Sequence, residues 1–165
     1  MMYLRQYIEW LMRPRENRYF MCDFETTVYK GQVSTEVWAS ASVELYTDDV
    51  KIFHSIDEQF EYFKSLKTNI IAYYHNLKFD GSFWVSYLMV DKHFKQALEK
   101  TGEKETDVKW KDQKCMSNGE FRFSVSDKGQ WYSIVIKVDG KFIEIRDSLK
   151  LLPFSVKRIG ESFGT

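Results

Sequence analysis

The stretch N-I-I-A-Y-Y-H-N-L-K-F-D-G-S-F at residues 69–83 decides the fold of this chain. After Asn69, residues 70–74 are apolar or aromatic, which predicts a buried β-strand over 69–74. Asp80 follows this strand, and His75, Asn76 and several aromatic residues surround it. Burial of an unpaired carboxylate is costly, because the charge loses its hydration. We therefore expect Asp80 to belong to a site at this end of the strand.

Two further acids follow another strand. R-Y-F-M-C-D-F at 18–24 predicts a buried strand, and D-F-E-T-T at 23–27 places Asp23 and Glu25 at its end. Because side chains alternate between the faces of a strand, these two acids are expected on one side. If the two strands are neighbours, Asp23, Glu25 and Asp80 converge at one edge of the sheet. Mg²⁺ and Mn²⁺ prefer such oxygen ligands, although acids at a strand end are also common on solvated surfaces.

The remaining sequence alternates predicted strands and helices. Ser55 and Glu58 form a capping box that opens an amphipathic helix, and Asp139-Gly140 is a hairpin signal between two alternating segments. Further strands are predicted at 35–46, 50–54, 121–126, 130–138 and 141–147, and further helices from Gly81 to about Lys100 and around 155–163. This order is consistent with an α/β, RNase H-like fold in which helices flank a mixed sheet.

The composition is that of a globular domain. Of the 165 residues, 44% are hydrophobic, 29% charged and 17% aromatic, and the formal net charge is zero. Neutrality argues against a nucleic-acid coat protein but permits an enzyme that holds a few nucleotides beside acids. Two cysteines, Cys22 and Cys115, cannot form a disulfide framework, and no apolar run has the length of a membrane span. We expect a protein of the reducing cytoplasm, without a membrane partner.

The N-terminus carries an additional element. Within 2–12, an amphipathic pattern predicts a helix whose apolar stripe contains Leu4, Ile8, Leu11 and Met12. R-P-R-E-N then breaks the helical pattern. We therefore predict an N-terminal helical extension over 1–17 and one domain over 18–165.

The motifs, taken in order, resemble those of the proofreading 3′–5′ exonuclease domain of family B DNA polymerases, especially the protein-primed polymerases of bacteriophages and linear plasmids. D-F-E-T-T looks like the first exonuclease motif, and Y-Y-H-N-L-K-F-D-G-S-F at 73–83 looks like the second. D-S-L-K-L-L-P-F-S-V-K-R-I at 147–159 looks like a segment that helps to hold single-stranded DNA. The resemblance runs from about Arg18 to the last residue and is least clear over 84–120. It implies an RNase H-like (DnaQ-like) exonuclease fold.

The resemblance also implies roles for individual residues. It makes Asp23, Glu25 and Asp80 catalytic acids that bind Mg²⁺ or Mn²⁺, with weak or absent binding as the alternative. Phe83 is implied as structural support. The positions that match contacts to the 3′ end of single-stranded DNA are Thr26, Tyr73, His75, Asn76, Phe79, Ser148 and Leu149. Aromatic rings stack on bases without reading their identity, which suits an editing site. Taken alone, a histidine such as His75 is more often structural, and rings such as Phe79 and Phe83 are more often core residues.

The sequence departs from the family pattern at its end. Family members continue into a catalytic lysine and a third motif, whose tyrosine orients the attacking water and whose aspartate completes the metal site. The sequence ends at Thr165, before these positions. Loss of such groups removes transition-state stabilisation, so we expect 3′–5′ exonuclease activity to be impaired or absent.

Two functional hypotheses follow. In the first, the chain is an exonuclease-like domain of a phage or mobile-element DNA polymerase that binds 3′ ends of single-stranded DNA. In the second, it is a stand-alone phage or mobile-element protein that reuses the scaffold to inhibit a host protein, such as a CRISPR–Cas nuclease. The added helix, the neutral charge and the many aromatics suit a protein interface. Both hypotheses place the protein in the cytoplasm of the host cell.

Overall fold

The computed structural model describes residues 17–47 and 49–163, so the helix predicted over 2–12 lies outside the described residues. The strands are β1 (Asn17–Thr26), β2 (Val37–Glu44), β3 (Val50–Phe53), β4 (Asn69–Tyr74), β5 (Lys95–Gln96), β6 (Leu98–Lys100), β7 (Val108–Trp110), β8 (Glu120–Val125), β9 (Trp131–Val138) and β10 (Lys141–Asp147). The α-helices are α1 (Ile56–Ser65), α2 (Leu77–Ser86) and α3 (Val156–Phe163). None of these helices is both long and apolar enough to cross a membrane.

Most of the strands form one mixed sheet. Its order is β3-β2-β1-β4-β10-β9-β8-β5, and β6 and β7 form a separate antiparallel pair. The central strands β1, β4 and β10 are mutually parallel, whereas β2 and β9 pair antiparallel with β1 and β10. The predicted mixed sheet is therefore confirmed, and the two buried strands that carry the acid motifs, β1 and β4, are neighbours in it. Because β1, β4 and β10 run in one direction, their carboxyl ends meet at one edge of the sheet.

One face of the sheet packs against α1 and α2. In β1 the side chains of Phe20, Cys22 and Phe24 are buried, whereas Asp23 and Glu25 are exposed, as the alternation of a strand predicts. Cys22 is a free thiol, and burial raises its pKa above the ordinary range. The core also contains Ile70, Ala72, Tyr74, Ile143 and Ile145 from the sheet, and Phe60, Phe63, Leu77 and Trp84 from the two helices.

Two local sequence signals form as predicted. Ser55 Oγ accepts the Glu58 N–H at 3.1 Å, so the predicted N-cap of α1 is confirmed. The return bond of the capping box is displaced by one residue, because Glu58 Oε2 accepts the N–H of His54, which precedes the N-cap, at 2.8 Å. Between β9 and β10, Asp139 and Gly140 have φ angles of 48° and 71°. Two positive φ angles in a two-residue turn match the twist of a hairpin, and Asp-Gly tolerates them.

The carboxyl end of α1 is capped by a buried lysine. Lys141 is only 2% exposed. Its Nζ donates to the carbonyl oxygens of Phe63 and Lys64, each at 2.7 Å, and to that of Leu66. A helix leaves carbonyl groups unpaired at this end and favours a positive charge there. Since Lys141 is the first residue of β10, this cap fixes α1 to the sheet.

The helix predicted from Gly81 to about Lys100 is wrong at both ends. Helix α2 begins earlier, at Leu77, and ends at Ser86, after which a π-helical turn covers Tyr87–Asp91. The chain then turns into β5 and β6. β5 pairs in parallel with β8, a partner more than twenty residues away in the sequence. Pairing with a distant strand overrides the local helical pattern, so the spacing of apolar residues could not reveal it.

Candidate functional site

The edge of the sheet at the carboxyl ends of β1, β4 and β10 brings two distant motifs together. Asp23 and Glu25 lie near the end of β1. Asp80 lies in the first turn of α2, which follows β4 after only His75 and Asn76. Strand β4 is hydrogen-bonded to β1 on one side and to β10 on the other. The topology therefore carries Asp80 to the end of β1.

Asp80 is a buried acid in a negatively charged environment. It is 3% exposed. Burial and the negative charge of Asp23, with a smaller contribution from Asp147, raise the pKa of Asp80 from 3.8 to about 7. A hydrogen bond to its own backbone acts in the opposite direction. Burial and a neighbouring negative charge both favour the neutral form of an acid. Asp80 therefore gains or loses its proton near neutral pH, and a bound cation would replace that proton.

Glu25 is less closely coupled to this pair. It lies on the same face of β1 as Asp23 and is exposed, but its charge is not among those that shift the pKa of Asp80. Within residues 17–47 and 49–163, no three acidic, histidine or cysteine side chains are spaced to hold one metal ion. The structure therefore brings Asp23 and Asp80 together, and a metal site that also includes Glu25 stays a prediction.

Asp147 is a site residue that the motifs did not assign. Its Oδ1 accepts the backbone N–H groups of Asn76 at 3.2 Å, Leu77 at 3.4 Å and Leu149 at 3.0 Å. Asn76 has a φ of 66° and makes no side-chain cap, so Asp147 provides the acceptor at the start of α2. The dipeptide of Asp147 and Ser148 is a local signal for the turn. The cap on α2 has no local signal, because its donors are in another part of the sequence.

Replacement of Asp147 by Ala is expected to lower the free energy of unfolding by about 2 kcal/mol, because buried N–H groups at the start of α2 lose their acceptor. Urea unfolding followed by circular dichroism measures this loss. Asp147→Asn is the matched control, since it keeps Oδ1 and should retain most of the stability. Equal losses in the two variants would contradict the capping role.

Two of the predicted DNA-binding residues, His75 and Ser148, contact each other. His75 Nδ1 lies 3.2 Å from Ser148 Oγ, and Ser148 Oγ lies 3.2 Å from the carbonyl oxygen of Tyr74. A carbonyl oxygen can only accept, so the Ser148 hydroxyl donates to it and accepts from His75 Nδ1–H. Nδ1 therefore carries a proton, and in the neutral ring Nε2 is the acceptor.

Phe79 and Phe83 differ in exposure. Phe79 is 47% exposed, although it directly precedes the buried Asp80. Its ring meets that of Phe83 edge-on at 5.2 Å, and Phe83 in turn meets the buried Phe24 edge-on at 6.4 Å. Phe83 thus connects Phe79 to the core, and its role as structural support for the site stays a prediction. Of the two rings, that of Phe79 is the more exposed.

The remaining predicted residues surround this edge. Thr26 is the half-buried last residue of β1, and Leu149 is half-buried in a 3-10 turn that follows β10. Tyr73 lies on β4, beside Arg146 of β10. Tyr73 and Ser148 both line an open, largely apolar cavity of about 500 Å³. The predicted residues therefore lie at the acid pair, at the start of α2, in this cavity and, for Thr26 and Leu149, at the ends of β1 and β10.

A mixed sheet whose parallel strands carry acids to one edge, with helices packed on one face, is the RNase H-like fold of exonuclease domains. The chain is homologous to the N-terminal part of protein-primed DNA polymerases of the phi29 type. The region of similarity is that of the exonuclease domain. No protein-family model matches the sequence.

Relatives and solved structures agree on this assignment. The DNA polymerase of Bacillus phage M2 is 35% identical over 150 residues, which cover 87% of this chain and 23% of that polymerase. The DNA polymerase of Streptococcus phage Cp-1 is 27% identical over 158 residues. A structure of phi29 DNA polymerase complexed with single-stranded DNA superposes with a TM-score of 0.67 at 30% identity, over 92% of this chain and 24% of the polymerase. The chain therefore spans about a quarter of the length of the polymerases that it matches.

Proposed function

We propose that the chain binds the 3′ end of single-stranded DNA at the edge of the sheet that carries Asp80, and that its 3′–5′ exonuclease activity is impaired or absent. The observation that carries the proposal is that an exposed ring, Phe79, directly precedes the buried acid Asp80 in the first turn of α2. A ring at this position can stack on the terminal base while the acid lies near the terminal phosphate. The similarity to phi29 DNA polymerase, which has been solved with single-stranded DNA, supports this assignment.

The surroundings of Phe79 suit a nucleotide. His75 and Ser148 present a hydrogen-bonded pair of polar groups at the end of β4. Lys150 Nζ lies 3.8 Å from Asp147 Oδ2 and 5.5 Å from the ring centre of Tyr132, so a cation lies beside Asp147. Polar side chains and cations contact phosphate and sugar, whereas the ring contacts the base. This division suits a site that accepts any terminal nucleotide.

The acid pair fits a divalent ion by its chemistry. Asp23 and Asp80 offer hard oxygen donors, and their mutual repulsion contributes to the raised pKa of Asp80. Mg²⁺ is commonly held by one or two carboxylates, with water and substrate phosphate as further ligands. A bound divalent ion would neutralise the two acids and polarise a phosphate oxygen. Asp23 and Asp80 are the residues that would hold it, with Glu25 as the third predicted ligand.

Impaired activity is expected in part because Asp147, a further acid at this edge of the sheet, has a structural role. Asp147, whose charge also acts on Asp80, accepts three backbone N–H groups and maintains the start of α2. Its Oδ1 is occupied by these donors and its Oδ2 lies 3.8 Å from Lys150 Nζ, so Asp147 is not expected to serve as a metal ligand. Removal of one stabilising group from a hydrolytic site commonly slows the reaction by about a hundredfold or more.

Hydrolysis is therefore expected to be undetectable or very slow. The measurement uses a 5′-labelled single strand with Mg²⁺ or Mn²⁺, resolved on a denaturing gel over several hours, with Asp23→Ala as the matched variant. We expect the labelled strand to shorten no faster with either protein than in the absence of protein. If the wild type shortens the strand from its 3′ end and Asp23→Ala does not, the chain is an active exonuclease and this part of the proposal is wrong.

Replacement of Phe79 by Ala is expected to weaken binding of a short single strand by about 1–3 kcal/mol, because a stacked base loses its partner. Fluorescence anisotropy with a labelled strand measures the affinity, which should also fall as salt concentration rises. Val90→Ala is the control, since Val90 is 65% exposed in the π-helical turn beyond the far end of α2 from Phe79. Equal effects of the two substitutions, or no binding at low salt, would contradict the proposed site.

The alternative function, inhibition of a host protein, stays a prediction. It depended partly on the helix predicted over 2–12, which lies outside the described residues. No contact or surface in the described part of the chain identifies such a partner.

A further inference from the structure

Gly81, the residue after Asp80, lies against a tryptophan from another element. A Cβ added to Gly81 would lie 2.9 Å from Cε3 and 3.0 Å from Cζ3 of Trp131, and 3.3 Å from Cγ of Leu77. Carbon atoms in favourable contact are about 3.5–4.0 Å apart. The indole of Trp131 is therefore packed directly on the backbone of α2. Glycine inside a helix lowers helix stability, so this close approach gives a physical reason for glycine at this position.

Trp131 is held in place from behind by other rings. It stacks on Phe123 with ring centres 5.6 Å apart and an angle of 21°. Phe123 in turn meets Trp110 at 5.0 Å and Phe121 at 6.5 Å. These contacts connect β9 to β8 and to β7. Because aromatic rings are bulky and this cluster is packed, Trp131 cannot move away from a new methyl group on Gly81 without displacing its neighbours.

The position of this contact matters for the acid pair. Leu77, one turn before Gly81, has its N–H held by Asp147. The first turn of α2 is thus fixed at its start by an acid of β10 and on its side by an indole of β9. Asp80 lies between these two supports. A site is held within a fraction of an ångström of its working geometry only when supporting residues fix the element that carries it.

We propose that Gly81 and Trp131 are positioning residues, which hold α2 so that Asp80 faces Asp23 and Phe79 is presented to the DNA end. The consequence for DNA rests on the proposed function, whereas the placement of α2 does not. The contact has two measurable effects, one on the local geometry around Asp80 and one on strand affinity. Measuring the Asp23 resonance and the strand affinity separately distinguishes failure of the positioning role from failure of the proposed function.

Gly81→Ala is expected to shift the backbone amide resonances of residues 77–80 and of Asp23 in ¹⁵N-labelled protein. The affinity for a labelled single strand is expected to fall about tenfold or more. Ser86→Ala is the control, because Ser86 is an exposed residue at the end of the same helix. This control should leave both the Asp23 resonance and the strand affinity unchanged.

The rescue variant combines Gly81→Ala with Trp131→Leu, whose smaller side chain leaves room for the new methyl group. It is expected to return the Asp23 resonance towards its wild-type position and to recover most of the lost affinity. If Gly81→Ala alone does not fold, Trp131→Leu alone serves as the test, because a loosened α2 should also shift the Asp23 resonance.

Three outcomes have distinct meanings. Wild-type resonances and affinity in Gly81→Ala would overturn the positioning role. A loss of stability without a shift at Asp23, or without rescue in the double variant, would also overturn it, because the contact would then only stabilise the fold. If the wild type binds no DNA, the proposed function fails, and the response of Asp23 alone decides whether Gly81 and Trp131 position the acids.

Discussion

Asp80→Asn is expected to raise the free energy of unfolding by up to about 4 kcal/mol at about pH 8.5 in metal-free buffer. The reason is the cost of an ionised carboxylate that is buried beside Asp23. The pKa of Asp80 is about 7 in the folded protein against an ordinary 3.8. Asparagine has a similar shape but carries no charge, so the variant avoids the repulsion.

The pH dependence gives the sign of this effect. Between the ordinary pKa of 3.8 and the folded pKa of about 7, the folded wild type binds one proton more than the unfolded chain. The protonated Asp80 therefore contributes its full stabilisation below pH 3.8, and this contribution is lost as the pH rises to about 7. The two proteins should therefore be about equally stable near pH 4 and diverge up to about pH 7.

Urea unfolding at several pH values, with a chelator present, measures the difference between wild type and variant. Asp127→Asn is the control, because Asp127 is exposed in the turn between β8 and β9. Addition of Mg²⁺ should stabilise the wild type and not Asp80→Asn, since the ion favours the ionised acid pair. A pH-independent difference between the two proteins would show that Asp80 is not buried beside a negative charge.

Lys141→Met is expected to lower the free energy of unfolding by about 3–5 kcal/mol, because it leaves buried carbonyl groups without a donor. The three acceptors belong to the end of α1, and methionine fills a similar volume without donating. Denaturant unfolding at neutral pH measures the loss.

Lys128→Met is the matched control for this prediction. Lys128 is exposed in the turn between β8 and β9, so the same chemical change should be nearly neutral there. A loss below about 1 kcal/mol in Lys141→Met would mean that water or another donor replaces the lysine at the helix end.

Much of the sheet was accessible from the sequence because its determinants are local. The run at 69–74 coincides with β4, and the Asp139-Gly140 turn joins β9 and β10 as expected. The failures occur where the partner is distant. The segment after Ser86 has helical spacing, yet β5 forms because β8 offers a strand edge. Such a pairing depends on the rest of the fold and has no period within the segment.

The site shows the same division. The sequence identified Asp23 and Asp80 as acids at the ends of two strands, and topology brings these strands together. It did not identify the cap on α2 by Asp147 or the contact of Trp131 with Gly81, which join residues far apart in the chain. Nor did it give the burial of Asp80, since exposure depends on packing. The local sequence thus identified the acids of the site. It did not identify the residues that hold α2 in place or the burial that shifts the pKa of Asp80.

The cap of Asp147 on Asn76 and Leu77 also bears on the order of folding. These groups are separated by 71 and 70 positions, so the cap closes a long loop with a substantial entropic cost. As the chain leaves the ribosome, β1 to β4 and α1 can meet while β10 is still being made. The start of α2 then lacks its acceptor. The acid pair is therefore expected to reach its final geometry late, only after β10 has joined the sheet.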